Sequence, residues 1–208
     1  MGAQGDRENR PLIDWGVATR ALSGETRSGD LHVVESFPGG VLVAALDGLG
    51  HGEEAEAAST AAATILSSHA REPVTTLVER CHEALRSTRG VAMSIASFGA
   101  SRHTMTWLGV GNVEACLFRS DTNSGRRESL PLRGGVVGFR LPALVASTVS
   151  VAPGDTLILA TDGVNGDFAT GLRLFEPPER IAESILARFA HGRDDALALV
   201  ARYWGEAA

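Results

Sequence analysis

The sequence predicts an α+β fold, an antiparallel β-sandwich with helix pairs on its outer faces. Three observations carry this expectation. Short apolar or alternating runs dominate the chain, and Gly, Asn, Asp or Pro separates most of them, as in strands joined by turns. Helical segments are fewer and come in two pairs. The order is therefore strands, two helices, many strands, two helices. Such clustering favours an antiparallel architecture over a doubly wound sheet, in which strands and helices alternate.

The strand candidates open with "IDWGVATRAL" (13–22), "LHVVESF" (31–37) and "VLVAALD" (41–47). The first helix candidate is "EEAEAASTAAATILSSHA" (53–70). Glu53, Glu54 and Glu56 are favourable near a helix N-terminus, and strong helix formers follow. "VTTLVERCHEALRST" (74–88) places Val74, Leu77, Val78, Cys81 and Leu85 on one helical stripe. Strand candidates resume with "VAMSIASFGA", "TMTWLGVG", "VEACLFRS", "LVASTVSV" and "DTLILATD". Gly111-Asn112 in "GVGNVEA" reads as a hairpin turn, and "DTNSGRRES" as a polar loop. "PPERIAESILARFA" begins with prolines suited to a first helical turn, and "DDALALVARYW" reads as a closing helix.

Bulk properties narrow the function. At 208 residues the expectation is one domain spanning 1–208, with the polar residues 1–10 flexible. A composition of 44% hydrophobic and 21% charged residues is ordinary for a soluble globular protein. Net charge is −6, so no global basic field exists to hold nucleic acid or an anionic membrane. No apolar run approaches the roughly 20 residues of a membrane helix, and "MGAQGDRENRPL" lacks a secretory h-region. Cys81 and Cys116 lack metal-type spacing and read as buried small hydrophobes in a reducing cytoplasm. A cytoplasmic location is expected.

Acids recur at strand ends. Asp30 in "TRSGDLHVV" precedes a strand, Asp47 in "VAALDGLGHG" and Asp162 in "LILATDGVNGD" end strands, and Asp194-Asp195 precede the last segment. Singly, each is explained as a turn or cap residue. Twice, however, a strongly apolar strand runs straight into Asp-Gly, which an ordinary hairpin does not require. A few carboxylates from different elements suit a hard cation such as Mg²⁺ or Mn²⁺, and glycine leaves room for close approach to a backbone carbonyl. Two such ions about 3.5–4 Å apart would activate a water and clamp a phosphoryl group. A nucleotide-binding reading of "GLGHG" is set aside, because the glycines are G-x-G-x-G and no Walker lysine follows. The six histidines show no zinc-type spacing, and the serine-hydrolase elbow is absent. His51, in the glycine loop beside Asp47, is a candidate general acid or simply a loop residue.

At these residues the chain resembles the metal-dependent PPM/PP2C-type serine/threonine phosphatases. "SGD", "DGLGHG", "TDGV" and "RDDA" occur in that family's order. "GVGNVEACLF" and "RGGVVGF" look like the SpoIIE/RsbU/RsbX branch, especially its short RsbX type. The resemblance runs from about residue 12 to residue 200. It implies a β-sandwich flanked by helices (α-β-β-α) with two Mn²⁺ or Mg²⁺ ions, and a third in some members, at one end. By motif, Asp47 would bridge the ions and Gly48 would give its carbonyl to one of them. Asp162 and Asp194 would bind the other, and Asp30 would contact the site directly or through water. There are departures. Larger eukaryotic members have D-G-H-G, whereas the histidine here comes later, at 51. Where many relatives carry an acid four residues after the "TDG" aspartate, this chain has Gly166, with Asp167 one place on. Arg27 is either a phosphate contact or a solvent-facing arginine, and Asp195 either orients Asp194 or caps a helix.

The resemblance implies a protein serine/threonine phosphatase hydrolysing phosphoserine or phosphothreonine through a metal-activated water. Its implied targets are phosphorylated STAS-domain (RsbR/RsbS-like) proteins of a stressosome. The alternative is a catalytically silent member of the same fold acting as a binding module. Another phosphate ester as substrate is also open, since the metal chemistry does not choose the alcohol.

Overall fold

The computed structural model describes residues 11–121 and 127–205. The expected flexible stretch 1–10, and residues 122–126 of the polar loop, lie outside the described residues. Ten strands are described: β1 Ile13–Arg20, β2 Asp30–Phe37, β3 Gly40–Gly48, β4 Val91–Gly99, β5 Thr104–Val110, β6 Glu114–Phe118, β7 Arg127–Ser129, β8 Ser147–Ser150, β9 Thr156–Ala160 and β10 Ala196–Tyr203. Three α-helices accompany them: α1 Glu53–Ser68, α2 Val74–Ala84 and α3 Pro178–Phe189. The strands form two five-stranded sheets, ordered β1-β10-β9-β6-β7 and β2-β3-β4-β5-β8. Every pairing between these strands is antiparallel. The α+β antiparallel sandwich is borne out.

The apolar runs are continuous because both faces of the central strands are covered. In β3, Val41, Val43 and Ala45 face the core between the sheets, while Leu42, Ala44 and Leu46 pack beneath α1 and α2. α2 buries the stripe its spacing predicts, and α1 buries a face of small residues. α1 contributes Ala55, Ala58, Ser59, Ala62 and Leu66, and α2 contributes Val74, Leu77, Val78, Cys81 and His82. The small residues of α1 let its axis approach the sheet closely. α3 covers the other sheet with Ile181, Ala182, Ile185 and Leu186 against Ile158, Ala198 and Val200.

Three readings change. "DDALALVARYW" is not a helix, because residues 196–203 form β10, a strand between β1 and β9. All eight of its residues are buried, so its apolar run carries neither a two-residue nor a 3.6-residue period. The outer face of that sheet therefore carries one helix, α3, among the described residues. Gly111-Asn112 closes no hairpin, since β5 and β6 lie in different sheets and this segment crosses between them. Part of the expected polar loop, Arg127–Ser129, pairs with Cys116–Phe118 as β7.

Gly16 of β1 lies directly under the first turn of α3. A Cβ there would overlap the backbone of Pro178 and Glu179. The Gly16→Ala protein is therefore expected to lose about 1–3 kcal/mol, the usual cost of overpacking. Urea denaturation followed by circular dichroism would read this as a lower midpoint with unchanged slope.

Candidate functional site

The acids meet at one end of the sandwich. Asp30 is the first residue of β2 and pairs in register with Asp47 near the end of β3. Asp162 follows β9 by two residues, and Asp194 and Asp195 immediately precede β10. One sheet thus supplies Asp30, Asp47 and Gly48, and the other supplies Asp162, Asp194 and Asp195. They lie at graded depth, with Asp30 and Asp195 buried, Asp47 and Asp194 partly buried and Asp162 at the exposed rim.

Long-range hydrogen bonds hold this set. Thr161 Oγ1 donates to Asp30 Oδ2 at 2.6 Å and accepts from the Leu197 N–H at 2.8 Å. Asn112 Nδ2 donates to Asp162 Oδ2 at 2.6 Å, and its amide opposes the rise of the Asp47 carboxyl. Asp195 accepts from the Leu22 N–H (2.7 Å) with one oxygen and the Gly29 N–H (2.6 Å) with the other. It caps no helix. Both its oxygens are spent tying down the chain that leads into Asp30. Asp194 Oδ1 in turn accepts the Asp195 N–H at 2.9 Å. On the rim, Arg193 N–H donates to His191 Nδ1, which leaves Nε2 protonated to donate to the Asp162 carbonyl at 2.9 Å.

The glycines after the strand-end acids serve packing. A Cβ on Gly48 would overlap the Ala55 carbonyl and approach Ser59 Oγ, so residue 48 must be glycine for α1 to seat on β3. A Cβ on Gly163 would overlap the Asp195 carbonyl. Room for the backbone of a neighbouring element, and not only for an ion, accounts for Asp-Gly at both strand ends.

His51 is not brought to the acids. Its exposed ring bonds Glu25 Oε1 at 3.0 Å, and it lies between Gly50 and Gly52, both at positive φ, which turn the chain outward into α1. Arg27 is exposed and paired with Glu56 at 2.6 Å. Asp167 is exposed in a short 3₁₀ turn. At Gly166 an added Cβ would lie 3.2 Å from Glu114 Oε1, so a carboxylate reaches that position from β6.

The electrostatics favour a cation. Burial, then repulsion from Asp162 and Asp194, pushes the Asp47 carboxyl up to about 7. Burial, then repulsion from Asp47, Asp195 and Asp162, raises Asp30 to about 8 against the opposing Thr161 hydrogen bond. Asp162 is also raised, by burial and then by Asp194. Among the described residues no arginine or lysine pairs with any of these acids. Elsewhere the chain neutralises a buried acid internally: Arg119 pairs with Asp155 at 2.9 Å. The donor set, all oxygen and net negative, fits a hard divalent cation. Among the described residues no three His, Cys, Asp or Glu side chains already close on one point.

Against known proteins, the model of the family "Stage II sporulation protein E (SpoIIE)" matches residues 38–204. The chain belongs to the SpoIIE family. The matched span holds Asp47, Gly48, Asp162 and Asp194, while Asp30 lies just before it. The phosphoserine phosphatase RsbX of Bacillus subtilis (strain 168) is 28% identical over 173 residues, 83% of this chain and 85% of that protein. A crystal structure of RsbX in complex with magnesium superposes with a TM-score of 0.83 at 25% identity, covering 94% of this chain and 98% of that one. A structure from work on the bacterial stressosome, as a modular system adapted to control secondary messenger signalling, gives 0.83 at 24% identity. It covers 92% of this chain and all of that one, and supports the fold alone.

For this SpoIIE-family chain, sequence reasoning missed Asn112, Thr161, His191 and the anchoring role of Asp195. A turn signal, a strand residue, a loop histidine and a cap signal concealed them. Each makes its contact across at least 29 residues of sequence.

The raised acids set a pH dependence for the metal-free protein. Asp30 and Asp47 bind protons more tightly folded than unfolded, where the ordinary value is 3.8. Stability in EDTA is then greatest below about pH 4 as far as these two groups decide it, and falls as pH rises through about 7 and 8, by at most about 1.4 kcal/mol per unit for each. Asp47→Asn and Asp30→Asn are expected to flatten this decline. Denaturant titrations in EDTA from pH 5 to pH 9 would show it, and an unchanged slope in both variants would count against the electrostatic account.

Proposed function

We propose that this protein is a Mg²⁺- or Mn²⁺-dependent protein phosphatase that hydrolyses phosphoserine or phosphothreonine. The observation that carries this is the acid set itself, drawn from both sheets, partly buried and paired with no arginine among the described residues. Similarity to the phosphoserine phosphatase RsbX, and to RsbX crystallised with magnesium, supports it.

In this reading Asp47, Asp162 and Asp194, with the Gly48 carbonyl, hold two ions, and Asp30 contacts them directly or through water. The ions, when bound, polarise the phosphoryl group and lower the pKa of water enough for attack near neutral pH. The protein supplies position. Register with Asp30 fixes Asp47 at its strand end, and Thr161 sets the rotamer of Asp30. Asn112, on the segment that crosses between the sheets, holds the Asp162 carboxylate, while His191 steadies the Asp162 backbone. In this reading His51 is a loop residue, its ring engaged with Glu25.

The finer reading takes phosphorylated STAS-domain proteins, RsbR/RsbS-like, as substrates in a cytoplasmic stressosome. It is what the resemblance of "GVGNVEACLF" and "RGGVVGF" to the RsbX type implies. Among the described residues no helix is long and apolar enough to cross a membrane.

The test is hydrolysis of p-nitrophenyl phosphate with Mn²⁺, Mg²⁺ or EDTA. Turnover is expected only with metal, and Asp47→Asn and Asp162→Asn are each expected to lower it by about 100-fold or more, as when a charge-stabilising group is removed from a reaction site. Folded wild-type protein inert with either metal on this ester and on phosphoserine peptides would make the chain a silent binding module.

A further inference from the structure

Residues 130–146, between β7 and β8, run back over the acidic end of the sandwich. The Gly111 N–H donates to the Arg133 carbonyl at 2.9 Å, which sets Arg133 beside the segment carrying Asn112. Val137 exchanges both backbone hydrogen bonds with Val91, and Val91 is paired with Gly48 on its other side. The turn that follows is rigid. Val136 and Arg140 exchange two hydrogen bonds, at 2.9 and 2.8 Å, and the Gly138 N–H donates to the buried His82 at 2.9 Å. Gly138 has φ of 103°, and a Cβ there would press on Leu85, so only glycine fits. Val137 is fully buried and Phe139 is thrown outward, 82% exposed.

A single exposed apolar side chain is ordinary, but Phe139 is held by a fixed turn two residues beyond the Val137–Val91 pairing that adjoins Gly48. The surroundings indicate what would cover it. Arg133 and Arg140 are exposed, and unlike Arg27, Arg89 or Arg119 they have no carboxylate partner among the described residues. In a chain of net charge −6, Arg140 adjoins Phe139 in the turn and Arg133 enters the same segment beside Gly111, both with their charge uncompensated by a paired carboxylate among the described residues. Aromatic and arginine side chains held in advance of binding are the usual energetic centres of protein interfaces.

We infer that the Phe139 turn is the docking point for the protein that carries the phosphate, and that it receives an acidic, partly apolar surface flanking the phosphorylated residue. The identity of this occupant as substrate rests on the phosphatase reading; the surface itself does not. The turn thereby selects among phosphoproteins, a choice the ions cannot make.

Two fluorescein-labelled phosphoserine peptides test this, both containing leucines, one flanked by Asp and Glu and the other by Arg and Lys. Binding is measured by anisotropy in Mg²⁺ for the wild type, Phe139→Ala, the double variant Arg133→Ser/Arg140→Ser, and Phe175→Ala. Phe175 is equally exposed but lies near Arg202 and Trp204, toward the opposite end of β10. The wild type should prefer the acidic peptide. Phe139→Ala and the double variant should each weaken its binding at least about fivefold, the loss that marks an interface anchor. Phe175→Ala should leave it unchanged, and p-nitrophenyl phosphate turnover should stay within about twofold in every variant, since that ester is too small to reach the turn. A wild type without preference, or variants that bind the acidic peptide as tightly as wild type, would overturn the docking surface. Peptide binding lost in the variants of a protein whose wild type turns over neither the small ester nor phosphoserine peptides would instead retire the phosphatase reading and leave the surface standing.

Discussion

The hydrogen bond from Thr161 to Asp30 joins the two sheets at the point where like charges are most crowded. Asp30 begins a strand of one sheet, Thr161 follows a strand of the other, and Leu197 of β10 completes the link. Without it the buried Asp30 carboxyl would lack its one side-chain donor while still facing Asp47, Asp162 and Asp195. The apolar cores on both sides of each sheet provide the free energy that keeps these carboxylates together. Repulsion among them is the cost of having the site at all, and it is tolerable because the strands bearing them are fixed along their whole length.

Much of the fold was legible because the hydrophobic pattern followed elementary periods. α2 shows its buried stripe plainly, and β3 announces itself as a continuous apolar run bounded by glycine. β10 was not legible for the same physical reason that makes β3 strong. A strand buried on both faces has no polar side, and "ALALVA" suits a buried helix equally well. The Gly111-Asn112 turn signal was genuine as a local bend, but local chemistry does not reveal which sheet the following strand joins.

The candidate site divides along a similar line. The carboxylates could be found because each sits at an abrupt change from apolar strand to Asp-Gly or Asp-Asp. Their supports could not, because Asn112, Thr161 and His191 act through tertiary contacts and look locally like ordinary turn, strand and loop residues. Asp195 shows the limit best. Adjacent to Asp194 and chemically identical, it has both oxygens committed to backbone N–H groups, so only the fold tells anchor from open carboxylate. For Gly48 and Gly163 the structure adds a second reason to the one the sequence suggests, since their missing side chains admit α1 and the Asp195 backbone.

The crossing of Asn112 from one sheet to the other has a mechanical meaning. The acids form two groups, one riding on each sheet, and the core between the sheets sets the gap between them together with the hydrogen bonds from Thr161 and to Asp195. A divalent ion shared across that gap would act as a removable cross-link, closing a chain loop as long as the one between Asp47 and Asp162, much as a covalent bridge does. Side-chain volumes deep in the interior, at Ala45, Ala92 or Leu159, would then tune ion affinity without touching the ion. The sandwich is in this sense a calliper, and its jaws are adjusted from inside.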